Sequence, residues 1–398
     1  MISAQEAMKI VLAQKGSSIT QSISLMDALG KVADEPLLAD RDFPPYDRVT
    51  MDGIAIAFST FAKGQKIFPI EGLAAAGAAR LKLNNSKNAI EVMTGAVLPA
   101  GTDTVIRYED IVINDKTATI NIDQLKQGQN VHRRASDRPK GSVLMKAGEL
   151  ISANAIAVAA TVGKSQIKVR SVKTVAILTT GDELVEIDRT PLAHQIRTSN
   201  SYAIQAALKE MQIDSKRYHV IDTQSALETT LKEILAHHAV VIISGGVSKG
   251  KFDFVPAALE AVGVKKRFHK VAQRPGKPFW FGTSGEGKVV FALPGNPVSS
   301  YMCTLRYVKP YLRQCLGLSP GTTRQVILGE DYSFKPALLY MLQVSLENTP
   351  GGFDIAHPHT GNGSGDFVNL IQADGFLELD AVERSVFKKG EVLPFWGW

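Results

Sequence analysis

The chain has 398 residues, of which 44% are hydrophobic and 21% charged, and its formal net charge is +6. This composition is typical of a soluble globular protein of two to four domains. The positive charge favours acidic partners, but it is spread without a block of consecutive Lys and Arg, so it gives little support to nucleic-acid binding.

The N-terminal sequence MISAQEAMKIVLAQK predicts an amphipathic helix rather than a signal peptide, because acidic and amide residues interrupt its apolar ones. No apolar stretch approaches the ~20 residues that cross a bilayer. Cys303 and Cys315 lie in one predicted helix without metal-ligand spacing, which favours a reducing compartment. We therefore expect a cytoplasmic protein with no membrane partner.

The first third of the chain contains a change of pattern. AQEAMKIVLAQ and SLMDALGKV predict helices, whereas short runs such as IEVMTGAVL and DTVIRYEDIVI predict a strand-rich module from Arg41 to about Asp137. GSVLMKAGELISANAIAVAATVG then predicts a helix of small residues that ends at Gly163. Pairing of this segment with the N-terminal helices would make the strand-rich module an insertion.

Strands and helices alternate from Val172 onward, which is typical of a mostly parallel sheet with helices on both faces. The predicted strands are TVAILTT, RYHVI, AVVIIS and KVVFAL, and the predicted helices are SNSYAIQAALKEMQI, QSALETTLKEILAHH, VPAALEAVG and PVSSYMCTLRYVKPYLRQCLG. Ser199 or Asn200 would cap the first of these helices. From about Leu318 the short strands QVILG, MLQVSL and FLELD predict a small β-barrel or sandwich.

Three of the predicted strands end in loops rich in glycine and polar residues: 179–183, 244–253 and 294–297. Because the carboxyl ends of parallel strands lie at one edge of a sheet, all three loops can face one ligand. The second loop lies between a strand and a helix N-terminus, an arrangement that suits an anion. The alternative is that its glycines only permit tight packing of helix on sheet.

The second loop also satisfies the start of the nucleotide phosphate loop, G-x-x-x-x-G-K, from Gly245 to Lys251. The next residue should be Ser or Thr to hold magnesium, but it is Phe252. Phe252 therefore argues against a phosphate-loop NTPase. Only ATP binding that depends on Lys251 would support that function.

Carboxylates and cations accompany the loops. Glu183 and Asp253 would share the site with an anion if Mg²⁺ lay between them. Taken alone, however, Glu183 is better explained as an acid in a first helical turn. Lys270, Arg274 and Lys277 lie within eight positions around a turn. Such a turn presents cations to a phosphate or an oxyanion, or else forms a solvated basic hairpin.

Taken together, these motifs resemble the molybdopterin molybdenumtransferases, the family of MoeA and the gephyrin E domain. The matching segments cover nearly the whole chain in one order: PPYDRVTMDGIAI, VMTGAVLPAGTDTVI, GQNVHRRASD, LTTGDELVE, IRTSNSYAI, SGGVSKGKFDF, RPGKPFWFG, LPGNPVSSY and HTGNGSGDFVNL. The SGGVS and LPGNP core alone is shared with molybdopterin adenylyltransferases, which lack the flanking modules.

The resemblance implies a multidomain α/β and β fold with four domains. These are an elongated helical domain from two segments (1–40 plus 140–170), an inserted β-rich domain (41–139), a doubly wound molybdopterin-binding α/β domain (171–317) and a C-terminal β-barrel-like domain (318–398). The family is a homodimer whose site lies between the α/β domain of one subunit and the β insertion of the other.

The reaction implied is insertion of molybdate into adenylylated molybdopterin, which releases AMP and forms the molybdenum cofactor. Molybdopterin and molybdate are then substrates, and Mg²⁺ is the cofactor. The expected partners are a second copy of the chain, a molybdopterin adenylyltransferase that hands over the substrate and molybdoenzymes that receive the product, without nucleic acid or membrane.

The resemblance also implies roles for individual residues. The catalytic set has two parts. The partner subunit would contribute Asp52, Thr94 and Asp137. The same subunit would contribute Glu183, Asp222 and Asp253, and Glu183 and Asp253 would also bind the metal. The substrate-binding set is Gly245, Gly246, Ser248, Lys270, Arg274, Lys277, Pro294, Gly295, Asn296, Pro297 and Ser364.

Three positions depart from the family pattern: Ile54 stands where an aromatic residue usually follows MDG, Arg274 replaces the more usual Lys before PGKP, and the third lies in the C-terminal domain. The arginine that the resemblance places in the molybdate pocket of the C-terminal domain falls at Val344, in MLQVSL. This departure favours the alternative function, a catalytically inactive dimeric scaffold that binds partner proteins. Intact Asp52, Glu183, Asp253 and Lys277 favour the enzyme instead.

Overall fold

The computed structural model describes residues 1–16, 18–248, 253–285, 287–321, 323–359 and 361–398. Residues 249–252, which complete the G-x-x-x-x-G-K match, lie outside the described residues. The chain divides into two compact units, one of residues 1–35, 148–152 and 166–398 and one of residues 36–147 and 153–165. The predicted division into four domains stays a prediction, because a division into two units is too coarse to test it.

Short elements make up the first 172 residues. They are α1 (Ala4–Leu12), β1 (Ser18–Ser24), a 3-10 turn (Met26–Ala28), β2 (Val32–Ala33), β3 (Leu37–Leu38), β4 (Arg48–Val49), β5 (Gly53–Ile56), α2 (Phe58–Phe61), β6 (Ile67–Ala74), β7 (Ala89–Val92), β8 (Thr104–Arg107), a 3-10 turn (Tyr108–Asp110), β9 (Ile111–Asn114), β10 (Thr117–Ile120), β11 (Val131–His132), β12 (Val143–Met145), α3 (Ala153–Thr161) and β13 (Gln166–Val172).

In the first unit, β1 pairs antiparallel with β13 along its whole length, and β2 pairs with the other side of β13. The N-terminal segment therefore pairs through strands, and its partner β13 begins after Gly163, beyond the segment for which the sequence predicts this pairing. The helix predicted from SLMDALGKV is wrong, because only Met26–Ala28 forms a 3-10 turn. Gly30 follows at φ +77°, a left-handed conformation that ends a helix.

The second unit confirms the strand-rich module. Its main sheet has the order β8-β5-β7-β6-β10-β9, in which β6 and β7 are parallel and the other pairs antiparallel. The apolar residues of β5 alternate between two small cores, with Ala55 in one core and Ile54 and Ile56 in the other. The helix of small residues is present as α3, and Gly163 follows it at φ +72°.

The α/β part of the first unit follows β13. Its elements are β14 (Val175–Thr180), β15 (Leu184–Val185), β16 (Ile196–Arg197), α4 (Asn200–Glu210), β17 (Ser215–Val220), α5 (Gln224–His237), β18 (Val240–Ser244), α6 (Val255–Ala261), β19 (Lys265–His269), β20 (Gln273–Arg274), β21 (Trp280–Thr283), β22 (Val289–Leu293), α7 (Pro297–Cys303), a π-helical segment (Thr304–Val308) and α8 (Lys309–Cys315).

The central sheet has the order β17-β14-β18-β22-β21-β19, with the first four strands parallel. Alternate side chains of β14 enter different cores: Val175 and Ile177 share one with α4, and Ala176 and Leu178 share the other with α5. Burial on both faces explains the nearly continuous apolar runs of β14, β18 and β22. The predicted doubly wound sheet is confirmed.

The C-terminal part consists of β23 (Arg324–Leu328), β24 (Tyr332–Ser333), β25 (Leu339–Asn348), β26 (Asp354–Pro358), a 3-10 turn (Val368–Gln372), β27 (Gly375–Asp380), β28 (Val386–Phe387) and β29 (Val392–Gly397). Strands β25, β26, β23, β29 and β27 pair in this order, and β27 pairs again with β25. The five strands thus close into the predicted barrel. In addition, β20 pairs with β25, which ties the α/β part to the barrel.

No helix in the described ranges combines the length and the apolar character that a membrane span needs.

Candidate active site

A cavity of about 440 Å³ lies at the carboxyl edge of the central sheet. We call it the edge cavity. Its lining is Thr179, Thr180, Glu183, Leu184, Ile196, Arg197, Thr198, Ser199, Asn200, Asp222, Ser244, Gly245, Gly246, Val247, Ser248, Asp253, Pro278, Pro294, Gly295, Asn296 and Pro297. The three loops that the sequence places at one edge therefore do line one cavity.

The predicted acidic residues of this part of the chain meet in the edge cavity. Glu183, Asp222 and Asp253 all line it, and the carboxylate of Asp182 accepts a hydrogen bond from the backbone N–H of Asp222 at 3.1 Å. The hydroxyl of Thr180 donates to the carboxylate of Asp222. Burial, together with the negative charges of Asp182, Glu183 and Asp253, raises the pKa of Asp222 to about 6.

The glycines of the second loop permit a close approach of chain segments. Gly245 has φ +111°, and a Cβ there would lie 2.8 Å from the carbonyl oxygen of Thr180. Gly246 has φ +65°, and a Cβ there would lie 2.6 Å from a methyl group of Val255. Any side chain at these positions would push the loop away from β14 and α6. The packing explanation of these glycines therefore holds beside the ligand-binding one.

A second cavity, of about 570 Å³, lies beside the turn that carries the predicted cations. We call it the turn cavity. Its lining is Gln273, Arg274, Pro275, Gly276, Lys277, Pro278, Pro294, Asn296, Val298, Ser299, Leu338, Tyr340, Met341, Gln343, His359, Gly361, Asn362, Gly363 and Ser364. Because Pro278, Pro294 and Asn296 line both cavities, the two are adjacent.

Two of the three predicted cations line the turn cavity, and the third does not. Arg274 and Lys277 are exposed and line the turn cavity, whereas Lys270 is half-buried at φ +74° and lines neither cavity. Ser364 lines the turn cavity and accepts a hydrogen bond from the side-chain amide of Asn296 at 2.7 Å. Two cations and the Ser364 hydroxyl thus face one cavity, next to the acidic one.

Asp52, Thr94 and Asp137 all lie in the second unit. Asp52 accepts a hydrogen bond from the backbone N–H of Thr94 at 2.5 Å, and this bond lowers the pKa of the Asp52 carboxyl. Asp137 contacts the imidazole of His132 at 2.8 Å. The first pair is therefore assembled within one chain. A role in the partner subunit's site stays a prediction for all three.

Among the described residues, no three His, Cys, Asp or Glu side chains are arranged to hold a metal ion. The predicted ligands Glu183 and Asp253 nevertheless line the same cavity. Magnesium commonly binds one or two carboxylates and takes its other ligands from phosphate and water, so a larger protein cage is not required.

Comparison with known proteins decides the family. Residues 2–163 match the family model described as the MoeA N-terminal region (domain I and II), and residues 176–314 match the one described as a probable molybdopterin binding domain. A protein of Synechocystis named molybdopterin molybdenumtransferase is 37% identical, and the match covers 100% of each chain. The chain belongs to the molybdopterin molybdenumtransferase family. It therefore has a role in molybdenum cofactor biosynthesis, as the motifs indicate.

Further relatives agree with this family. A protein of Staphylococcus epidermidis with the same name is 30% identical, over 98% of this chain and 94% of its own. The crystal structure of the molybdopterin biosynthesis MoeA protein from Pyrococcus horikoshii matches with a TM-score of 0.86, 28% identity and 100% coverage of both chains. The predicted fold class is confirmed over the full length.

Val344 is the position at which the resemblance places the family's arginine. Its side chain does not line the turn cavity, because it lies fully buried inside the barrel beside Leu342. The neighbouring residue Gln343 lines the turn cavity, and its side-chain oxygen accepts a hydrogen bond from Asn369 at 2.8 Å. An amide, rather than a valine, therefore stands where this strand faces the cavity.

The sequence also misses residues that hold the edge cavity together. The side-chain amide of Asn200 donates to the Ser244 hydroxyl at 2.9 Å and to the Gly295 carbonyl at 2.7 Å, so it joins all three of α4, β18 and the third loop. The sequence suggested only a helix cap for Asn200. Thr180 and Asp182, which contact Asp222, lie within a loop that was recognised, but nothing in the sequence shows that they meet Asp222.

Asp222→Asn should stabilise the fold at neutral pH. The raised pKa of Asp222, about 6 against an ordinary 3.8, means that ionisation is unfavourable in the folded state. The penalty is fully present above about pH 6 and absent below the unfolded pKa near 3.8. At pH 8 we expect a gain of about 1 kcal/mol in the free energy of unfolding, after allowance for solvent screening.

Denaturant unfolding at pH 8 and pH 4 checks this expectation. The gain should vanish at pH 4, and Glu233→Gln, at an exposed position of α5, should show no pH-dependent gain. A gain of equal size at both pH values would contradict the raised pKa.

Proposed function

We propose that the chain inserts molybdate into adenylylated molybdopterin, with release of AMP and formation of the molybdenum cofactor. The observation that carries this proposal is the adjacency of an acidic and a basic cavity that share Pro278, Pro294 and Asn296. The edge cavity would hold the pterin and its adenylate, and the turn cavity would hold molybdate. Names of close relatives support the same reaction.

The residues of the edge cavity suit hydrolysis of the adenylate phosphate. Hydroxyl groups of Thr179, Ser244 and Ser248 line it, with the backbone of Gly245 and Gly246, and these groups can hydrogen-bond the pterin phosphate. Asp222, with a pKa of about 6, is ionised at neutral pH but basic enough to accept a proton from the attacking water. The Thr180 hydroxyl orients its carboxylate, and Asp182 holds its backbone N–H.

The residues of the turn cavity suit a tetrahedral oxyanion. Arg274 and Lys277 would neutralise molybdate, and the hydroxyl of Ser364 would donate a hydrogen bond to it. Lys270 lines neither cavity, so it would contribute to neutralising the two anions only through its longer-range positive field. Placing both anions side by side, with their charges neutralised, would supply most of the rate acceleration.

Magnesium fits the donor groups of the edge cavity. Three carboxylates beside Asp222 raise its pKa, and a divalent cation would relieve this mutual repulsion. Glu183 and Asp253 would hold Mg²⁺ together with phosphate oxygens. When bound, the ion would stabilise negative charge on the phosphate during AMP release.

A complete site would require a second copy of the chain. In the proposed homodimer, Asp52, Thr94 and Asp137 of the partner subunit would line the edge cavity. Receipt of substrate from a molybdopterin adenylyltransferase and delivery of cofactor to molybdoenzymes, in the cytoplasm, belong to the same proposal.

The test is AMP release by the purified chain from adenylylated molybdopterin. We expect release when molybdate and Mg²⁺ are both present, and little release without molybdate or with a chelator. An active relative as positive control shows that the substrate is intact. No molybdate-dependent release with that substrate would overturn the proposal.

Gln343 favours one alternative, the catalytically inactive scaffold. A neutral amide faces the turn cavity at the strand where the family resemblance implies an arginine. A scaffold would still bind molybdopterin but would release no AMP, so the same assay separates the two functions.

A further inference from the structure

A chain of buried polar groups lies beneath the cationic turn. Gln273 is fully buried, its side-chain oxygen accepts a hydrogen bond from the hydroxyl of Tyr307, and its side-chain nitrogen donates to the carbonyl of Gly276 at 3.2 Å. Tyr307 is also fully buried. The Gln273 amide thus connects Tyr307, which lies in the π-helical segment Thr304–Val308, to the backbone of the turn between Arg274 and Lys277.

The turn packs tightly on this amide. Gly276 has φ +90°, and a Cβ there would lie 2.7 Å from the side-chain nitrogen of Gln273 and 2.5 Å from the sulfur of Cys303. Hydrogen bonds of the backbone hold the two ends of the turn: Val271 donates to Lys277, and β20 pairs with β25. The Gln273 side chain holds the tip at Gly276 through its hydrogen bond to the Gly276 carbonyl.

The helix beneath is locally irregular where it carries Tyr307. Residues Thr304–Val308 form a π-helical segment between α7 and α8, and such segments are frequent at functional sites. Within it, consecutive side chains serve different partners: Arg306 pairs with Glu378 of the barrel at 2.6 Å, and Tyr307 reaches Gln273. One helical segment therefore contacts both the barrel and the turn.

We propose that Gln273 and Tyr307 are positioning residues that fix Arg274 and Lys277 for oxyanion binding. The inference rests on the proposed function, in which these two cations bind molybdate. Tyr307 is fully buried and lines neither cavity, so it acts through the turn rather than on the substrate. Gln273 borders the turn cavity but is itself fully buried, and its amide is engaged by Tyr307 and Gly276. Loss of either one frees the tip of the turn and weakens molybdate binding, while the edge cavity keeps its own contacts.

The test compares Tyr307→Phe, Gln273→Leu and the double variant with wild type. The matched control is Tyr311→Phe, because Tyr311 is equally buried in α8 but its ring packs on Phe291, away from the turn. Steady-state AMP release gives kcat and the KM for molybdate. Calorimetric titration with molybdate gives its Kd, and thermal unfolding gives Tm.

We expect a rise of about tenfold in the KM and Kd for molybdate in each single variant, with kcat changed much less. The double variant should show no further rise beyond Gln273→Leu, because the hydroxyl acts through the amide. Tyr311→Phe should lower Tm without changing KM. Tyr307→Phe, which removes one oxygen atom, carries the test alone if Gln273→Leu does not fold.

Two results would overturn the inference while leaving the proposed function intact. One is a molybdate KM in Tyr307→Phe equal to that of Tyr311→Phe, and the other is a rise in the double variant equal to the product of the single ones. A wild-type chain that neither binds molybdate nor releases AMP would overturn the proposed function and this inference with it.

Discussion

Replacing Arg274 and Lys277 together with alanine should lower kcat/KM for molybdate by about 100-fold or more. Both cations line the turn cavity, and each hydrogen bond from a charged group to an anion contributes about 1.5–3 kcal/mol. The losses should add to at least about 3 kcal/mol, which is a factor of over 100. Initial rates of AMP release at several molybdate concentrations give this number.

The control is Lys232→Ala with Lys265→Ala, which removes two exposed cations of the same part of the chain that line neither cavity. It should leave kcat/KM within about twofold, because scattered surface charges act only through a screened long-range field. Equal losses in the two double variants would show that net charge, rather than the turn, attracts molybdate.

Gly245→Ala should destabilise the fold and abolish AMP release. The substitution adds a methyl group 2.8 Å from the carbonyl oxygen of Thr180 at φ +111°, so either the loop or β14 must move. Overpacking together with left-handed strain costs about 2–4 kcal/mol in the free energy of unfolding. Denaturant unfolding measures this loss, and the activity loss should exceed what the unfolded fraction explains.

The matched control is Gly263→Ala. Gly263 follows α6 at φ +84°, but a Cβ there meets nothing within 4 Å. It should therefore cost only the backbone strain, about 1 kcal/mol, and leave AMP release intact. Equal destabilisation by both substitutions would mean that the close contact with Thr180 does not restrict this loop.

The central sheet and its edge cavity follow from the sequence for simple reasons. Strands β14, β18 and β22 are buried on both faces, so their apolar runs stand out against the amphipathic helices between them. Parallel strands bring their carboxyl ends to one edge, and this rule alone brings the three loops together. The residue roles within the cavity came from the family resemblance instead.

The barrel shows where the sequence pattern fails. Strand β25 is buried on one side in the barrel, through Leu342 and Val344, and on the other against the α/β part, through Leu339 and Met341. Apolar residues on both faces leave no alternation that shows which residue faces the cavity. The one-residue difference between Val344 and Gln343 therefore becomes visible only in the structure.

The sequence also does not predict the hydrogen bonds of the Asn200 side chain, for a different reason. Its partners Ser244 and Gly295 are 44 and 95 residues away in sequence, so no local pattern connects them. Likewise, SLMDALGKV has a helical period of apolar residues, but both of its ends, Ser24 and Val32, pair with β13, and the residues between them form the connection from β1 to β2. Tertiary pairing overrides local propensity at such places.

The most direct measurement locates the metal oxyanion. Crystals grown with adenylylated molybdopterin and molybdate, measured at the molybdenum absorption edge, should show an anomalous peak in the turn cavity, in contact with Arg274, Lys277 and Ser364. The pterin phosphate should lie in the edge cavity beside Gly245 and Gly246. A molybdenum peak away from the turn cavity, with the pterin bound in the edge cavity, would contradict transfer between these two sites.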